Sequence, residues 1–432
     1  MFSNLCQTVW GDLSREEFKK FGLLSAIFFF IIGTYWLMRS LKDAIFLKTV
    51  GRTYLPYAKM VSLISIVVLV LVYGKLVDWF EKHNLVYLLS SVYAVIYFII
   101  AFMAFHPHIG LTNTVTNKYR LFGWFTYCII ESAGTIITAL FWSFVASVVD
   151  TKIAKKGYPI IVTGAQLGSV IGAFLAMRAS WFGIENLIVI SGFSILVVPF
   201  IVKLFISLHP RAATETGEQH APTGPIEGLK LLLSRRYLMG ILVLSTVYEV
   251  IGEIINFRMK FLADETYHSA TQVAEFMGMF GVATNLLSFV FALIGTSFLI
   301  RRFGLTFCLV AYPLTIACVI AYTWAFHSLW ILLTGMMMLK GLSYALNNPC
   351  KEIMYIPTSK DMKFKAKSWV EGFGGRTAKG LGASVAAFFP VISQLALYGS
   401  LISFGIIGLW VPIALYVGRT NHALVQENKT LE

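Results

Sequence analysis

Apolar residues run in long, nearly uninterrupted stretches along this chain, each closed by a short polar or charged break. A helix needs about 20 mostly apolar residues to cross the hydrocarbon core of a bilayer. Twelve stretches qualify. The first six lie at about 21–41, 58–77, 84–105, 123–148, 159–177 and 187–208, and the second six at about 237–257, 275–299, 305–326, 329–346, 368–390 and 395–417. Between them lies a polar segment from His209 to Arg236 with Pro210, Pro222 and Pro225. The pattern predicts an all-α membrane protein of twelve spans in a major-facilitator-like arrangement of two pseudo-symmetric sets of six. It divides into an N-terminal half (1–208), a central cytoplasmic linker (209–236), a C-terminal half (237–417) and a cytoplasmic tail (418–432).

Composition supports the membrane class. Of 432 residues, 57% are hydrophobic and 13% charged, against about 25% charged in soluble domains. The net charge of +13 has two readings, a topogenic excess of cytoplasmic Lys and Arg or an anionic solute. Basic residues collect after the second, fourth, sixth, eighth and tenth stretches, for example Lys75 and Lys82, Lys152, Lys155 and Lys156, Arg301 and Arg302, and Lys360, Lys363, Lys365 and Lys367. Both termini are therefore expected in the cytoplasm. Five cysteines without paired spacing give no metal or disulfide framework. The N-terminus carries no evident cleavable signal.

The two sets of six share a weak repeat. Gly74-Lys-Leu-Val-Asp78 ends the second stretch, and Gly295, followed by Arg301 and Arg302, ends the eighth. Gly164, Gly168 and Gly172 form a doubled GxxxG, a pattern that lets helices approach closely.

Ionisable groups inside spans cost about 2.5–3.5 kcal/mol on insertion scales, so those present are functional candidates. Arg39 and Lys42 share one face of the first span, as interfacial anchors or as a cationic pair, with Asp43 beside them. Glu131 has no cation within a turn, so any partner must come from another helix. Glu249 and Glu253 share a face of the seventh span and precede Asn256, Arg258 and Lys260. They are candidate proton or ion-pair acids, and the two cations are candidate interfacial anchors. Lys340 lies in the tenth span, and Arg376 and Lys379 lie among glycines in the eleventh. Arg39, Lys42, Lys340, Arg376 and Lys379 are the candidate phosphate-binding cations, and Glu131, Glu249 and Glu253 the candidate gate or coupling acids. Tyr35, Trp36 and Trp142 are candidate base-stacking rings. No phosphate loop, HExxH motif or nucleophile triad is present, which excludes a hydrolytic engine and favours exchange or an ion gradient.

At these residues the chain resembles the ATP/ADP translocase, or nucleotide transporter, family of plastids and obligate intracellular bacteria. Arg39-Ser-Leu-Lys42-Asp43 is similar to that family's R-x-x-K-D. Glu131 with Phe141-Trp142-Ser-Phe144-Ala is similar to its E-L-W-G…F-W-x-F-A, and Ile300-Arg301-Arg302-Phe303-Gly304 to its I-R-R-F-G. Lys351-Glu352-Ile-Met-Tyr355-Ile-Pro357 and the block from Lys363 through Arg376 to Lys379-Gly380 are similar to K-E-M-x-Y-I-P and K-x-K-x-K-A…R-x-G-K-S-G. The resemblance implies nucleotide transport, ATP for ADP above all, in a bacterial inner membrane, with Lys42 and Glu131 at functionally important positions. No cofactor, metal or nucleic acid is expected, and the carrier is expected to act as a monomer. The family's seventh-span acid falls at Asn256 here, with Lys260 at its lysine. Import of NAD or of a broader nucleotide range, with or without protons, stays open, as does a membrane sensor or lipid-handling role on the same fold.

Overall fold

A computed structural model describes residues 14–149, 151–210, 225–294, 300, 302–359, 362 and 366–427. Every described element is helical. In chain order the principal helices are α1 (Arg15–Thr49), α2 (Leu55–Trp79), α3 (Lys82–Phe105), α4 (Leu121–Val148), α5 (Thr151–Met177) and α6 (Ile184–Leu208). They continue as α7 (Arg236–Thr266), α8 (Ala270–Ile294), α9 (Leu305–Ala325), α10 (Leu329–Leu342), α11 (Gly375–Phe388) and α12 (Ile392–Gln426). Among the described residues, ten helices are long and apolar enough to cross a membrane. The two that fall short, α10 and α11, are regular segments of interrupted helices. A π-helical turn at Ser343–Asn347 joins α10 to the short helix Asn348–Met354, and another at Val370–Gly374 leads into α11.

The chain folds as two compact units, Met1–Gln219 with Tyr267–Asn285, and His220–Thr266 with Leu286–Glu432. In the first, α1 is the central post, packed on α5, α4 and α6. The glycine face of α5 makes this packing possible. A Cβ at Gly164 would meet the Ser25 carbonyl, one at Gly168 the Phe29 carbonyl at 2.3 Å, and one at Gly172 the Gly33 carbonyl at 2.0 Å. The first part of α8 joins this unit, where Gly278 lies against the backbone of Met177. In the second unit α7 is the post, against α11, α12 and α10, while α9 packs on α12.

Local chemistry sets the helix ends. Ser14 and Glu17 form a reciprocal capping box that starts α1, with Glu17 N donating to Ser14 Oγ at 3.2 Å and Ser14 N donating to Glu17 Oε2 at 2.7 Å. Gly51 (φ 108°) makes the turn after α1, and Gly304 (φ 81°) precedes α9. The loop from α3 to α4 is drawn together by Arg120. Its guanidinium donates to the carbonyls of Asn113, Val115, Ile109 and Gly110 at 2.6–3.0 Å.

Several helices outrun their apolar stretches. α1 runs on to Thr49 with its added turns mostly buried, and α7 runs on to Thr266, buried through Phe261 and exposed at Glu265 and Thr266. α12 runs to Gln426, so most of the expected tail is helix. The expected linker contains a helix at Pro225–Ser234, and residues 211–224 lie outside the described residues. The same holds for Gly295, Arg301, Lys360, Lys363 and Lys365.

Candidate functional site

Both posts carry polar groups where helices are ordinarily apolar. Every residue from Ser40 to Leu47 of α1 is buried, and every residue from Val250 to Phe261 of α7. A helix buried on all sides should be hydrophobic all round. These segments instead hold Lys42 and Asp43, and Glu253, Asn256, Arg258 and Lys260.

In the first unit the charges interlock. Lys42 Nζ lies 2.9 Å from Asp43 Oδ1 and 3.0 Å from Glu131 Oε1 on α4. Lys59 Nζ on α2 holds the other carboxylate oxygen of Glu131 at 2.9 Å. The Lys42 ammonium also lies 4.2 Å from the centre of the Tyr127 ring. Arg39, one turn before Lys42, takes a different environment: its guanidinium stacks over Trp36 at 4.9 Å and over Tyr35 at 5.9 Å. Tyr35 itself packs on Gly134, where any Cβ would collide with its ring. Trp142 is edge-on to Phe28, Phe141 and Tyr158. All three candidate stacking rings thus have protein neighbours.

In the second unit the signs are exchanged, with the acid on the post and the cations on its neighbours. Glu249 Oε2 lies 3.5 Å from Lys340 Nζ of α10, and its Oε1 lies 3.9 Å from Lys379 Nζ of α11. Tyr248 donates a short hydrogen bond to Glu249 Oε1. Lys340 and Lys351 lie 5.7 and 5.5 Å from the centre of the Tyr248 ring. Arg376, half-buried on α11, has no ion-pair partner among the described residues. Glu253 is buried one turn from Glu249, with the Asn256 amide 3.4 Å from its carboxylate. Glycine at 382 keeps α11 close there, since a Cβ would lie 2.7 Å from Glu253 Cβ.

Arg258 and Lys260, two candidate interfacial anchors, are buried in the helical packing. They are 3% and 6% exposed, and Arg258 donates to the Thr323 carbonyl in the last turn of α9 at 2.8 Å, where a cation suits the helix dipole. A second network ties the opposite end of α7. Asn421 of α12 donates to Tyr237 Oη at 2.9 Å, and Tyr237 donates to the Met354 carbonyl at 2.8 Å. Nearby, Lys367 grips both oxygens of Glu352 at 2.7 and 2.8 Å.

Lys59 and Tyr248 do not stand out in the sequence pattern, and Lys351 stands there only within a motif. Lys59 was legible as a lone cation opening an apolar run, but its partner is 72 residues away.

Fold and charge pattern together describe a multi-pass membrane protein built to handle charge within its spans. Comparisons with known proteins place it. The family model described as TLC ATP/ADP transporter matches residues 1–332 and 316–419, and the chain belongs to that family, which is one of carriers and not of enzymes. It is 25% identical to ADP,ATP carrier protein 1 of Rickettsia prowazekii (strain Madrid E), over 99% of this chain and 98% of the relative. It is 21% identical to ADP,ATP carrier protein 3 of Rickettsia bellii (strain RML369-C), over 96% of each. Among solved structures, a bacterial homologue of the iron transporter ferroportin in an inward-facing state superposes with a TM-score of 0.68 at 13% identity, over 94% of this chain and all of that one. The nucleoside transporter NupG gives 0.57 at 14% identity, over 92% and 98%. These likenesses show a major-facilitator-like transporter fold.

Proposed function

We propose that this protein is a secondary-active carrier that exchanges ATP for ADP-type nucleotides across a bacterial inner membrane, alternately opening to either side. The observation that carries this reading is the pair of lysine–carboxylate clusters, one on each helical post, in a member of the ATP/ADP transporter family. Lysines dehydrated inside a span bind phosphate strongly, because little water competes. With no nucleotide present the same lysines need counter-charge, and Glu131 and Glu249 supply it. Arriving phosphates displace the acids, so loading and gate release are one event. Bound nucleotide thus lowers the barrier to reorientation, which an empty carrier does not cross, and transport is exchange. Lys42, Lys340, Arg376 and Lys379 are assigned to phosphate, Glu131 and Glu249 to the gate.

In this reading the chain crosses the membrane twelve times, as halves 1–208 and 237–417 joined by the 209–236 linker. The interrupted helices α10 and α11 supply the two spans beyond those of full length. Both termini are cytoplasmic, and the carrier acts as a monomer. The test is uptake of labelled ATP, GTP, UTP and NAD into proteoliposomes with and without internal ADP. The expected result is ATP uptake that requires internal ADP. Uptake without internal nucleotide, raised by an acid exterior, would replace exchange with proton symport; preference for NAD would change the substrate. No uptake of any of the four by folded protein would sink the nucleotide reading.

A further inference from the structure

The two charge clusters differ in balance. In the first unit two lysines, Lys42 and Lys59, meet two carboxylates, Asp43 and Glu131, at 2.9–3.0 Å. Around Tyr248 in the second unit three lysines gather, Lys340, Lys351 and Lys379, and Glu249 is the acid paired with two of them. Lys351 has no carboxylate within ion-pair distance among the described residues. Its neighbour in sequence, Glu352, is committed through both oxygens to Lys367. What Lys351 does have is the face of the Tyr248 ring, the same ring that Lys340 approaches and whose hydroxyl is bonded to Glu249. An aromatic face is a weak substitute for an anion. A surplus of positive charge within a span is costly unless an anion fills it.

We propose that the seat of the substrate's phosphate chain lies in the second unit, on Lys340, Lys351 and Lys379 about Tyr248, and that Lys351 is a direct phosphate contact. The proposal rests on the nucleotide reading and narrows it. Glu249 holds Lys340 and Lys379 until substrate arrives. Among the described residues Glu249 is the carboxylate at ion-pair distance from these lysines, with Glu371 and Glu352 acting on Lys351 from farther off, and a di- or triphosphate brings the negative charge that the seat lacks at contact distance. Selection for polyphosphate over monophosphate therefore resides here. The cluster of the first unit pairs its two lysines with two carboxylates, and Lys59 there works as a lock that sets the rate of reorientation.

The experiment is exchange transport in proteoliposomes by the full chain, with AMP, ADP and ATP as competing substrates. Lys351→Gln should weaken apparent affinity for ADP and ATP about tenfold or more, the scale of one charge-assisted hydrogen bond, and for AMP by much less. Lys351→Arg, which keeps a charged phosphate donor, should lose much less affinity than Lys351→Gln. Lys59→Gln should lower the maximal rate and leave apparent affinity near its starting value. Equal loss for all three nucleotides, an Arg variant as impaired as the Gln variant, or unchanged affinity in Lys351→Gln overturns the assignment of Lys351. An affinity loss at Lys59 as large as at Lys351 overturns the placement of the seat in the second unit. If the unmodified, folded protein takes up no nucleotide, the carrier reading and the seat fall together; if it transports and only the Lys351 expectation fails, the carrier reading stands.

Discussion

Glu131 is held by two ammonium groups from two other helices, and that fixes what each substitution should do. Removing one partner of a buried ion pair leaves an uncompensated charge and costs about 3–5 kcal/mol, whereas removing both charges is often close to neutral. Lys59→Ala should therefore lower the thermal unfolding temperature of the detergent-solubilised protein by several degrees. Lys59→Ala combined with Glu131→Gln should recover most of that loss. Equal destabilisation in the single and double variants would show that Lys59 acts through packing of its aliphatic stem and not through Glu131. The same residues show how far sequence reaches. Lys42 and Glu131 stood out because a charge in an apolar run is costly wherever its partner lies. Lys59 escaped because sequence gives proximity only along a helix, at three or four residues, and this pair spans 72. Arg258 and Lys260 are a related case. Charges near the end of an apolar run suit an interfacial anchor, and only the continuation of α7 to Thr266 shows them to be buried.

At the scale of elements, the apolar runs located the helices and the glycines announced one contact. The α5 glycine face meets the backbone of α1, which cannot give way as a flexible side chain can. Gly168→Ala would set a methyl group 2.3 Å from the Phe29 carbonyl oxygen, and the helices must part. We expect little monodisperse protein from this variant in size-exclusion chromatography. Gly405→Ala on α12, with open space around its Cβ position, should behave as unmodified protein. The interruptions in α10 and α11 were less legible. The glycines around Arg376 allowed bending, but a π turn is a hydrogen-bond register, and register follows from packing as much as from residue type. Such a turn holds one residue more than the α-helix would. Deleting Gly372 from Val370–Gly374 should regularise the helix while leaving Arg376 and Lys379 on their face of α11. The expected result is a folded protein whose exchange rate falls at least tenfold, measured as ADP-dependent ATP uptake. Retention of full rate would reduce the π turn to a packing detail.

For the whole molecule, the distribution of charge has to answer for two things at once, how the chain is threaded and what it carries. The net charge of +13 is more than the span clusters account for, since those lysines and arginines are partly matched by Asp43, Glu131, Glu249 and Glu253. The remainder sits in connecting segments, and cytoplasmic loops are the ones that collect Lys and Arg. Arg120 is a cation in a loop expected outside, yet its guanidinium is turned inward onto four backbone carbonyls, so it serves loop structure. This predicts that the loop from α3 to α4 faces the periplasm and the end of α12 the cytoplasm. Single cysteines introduced into a cysteine-free background as Thr114→Cys and Gln426→Cys report on the two sides. A membrane-impermeant maleimide applied to intact spheroplasts should modify position 114 and leave position 426 untouched, and permeabilisation should expose both. Labelling of 426 alone would invert the threading. The Lys-rich segment from Lys360 to Lys367 would then face the periplasm, and the +13 would have to be explained by the solute and not by the membrane.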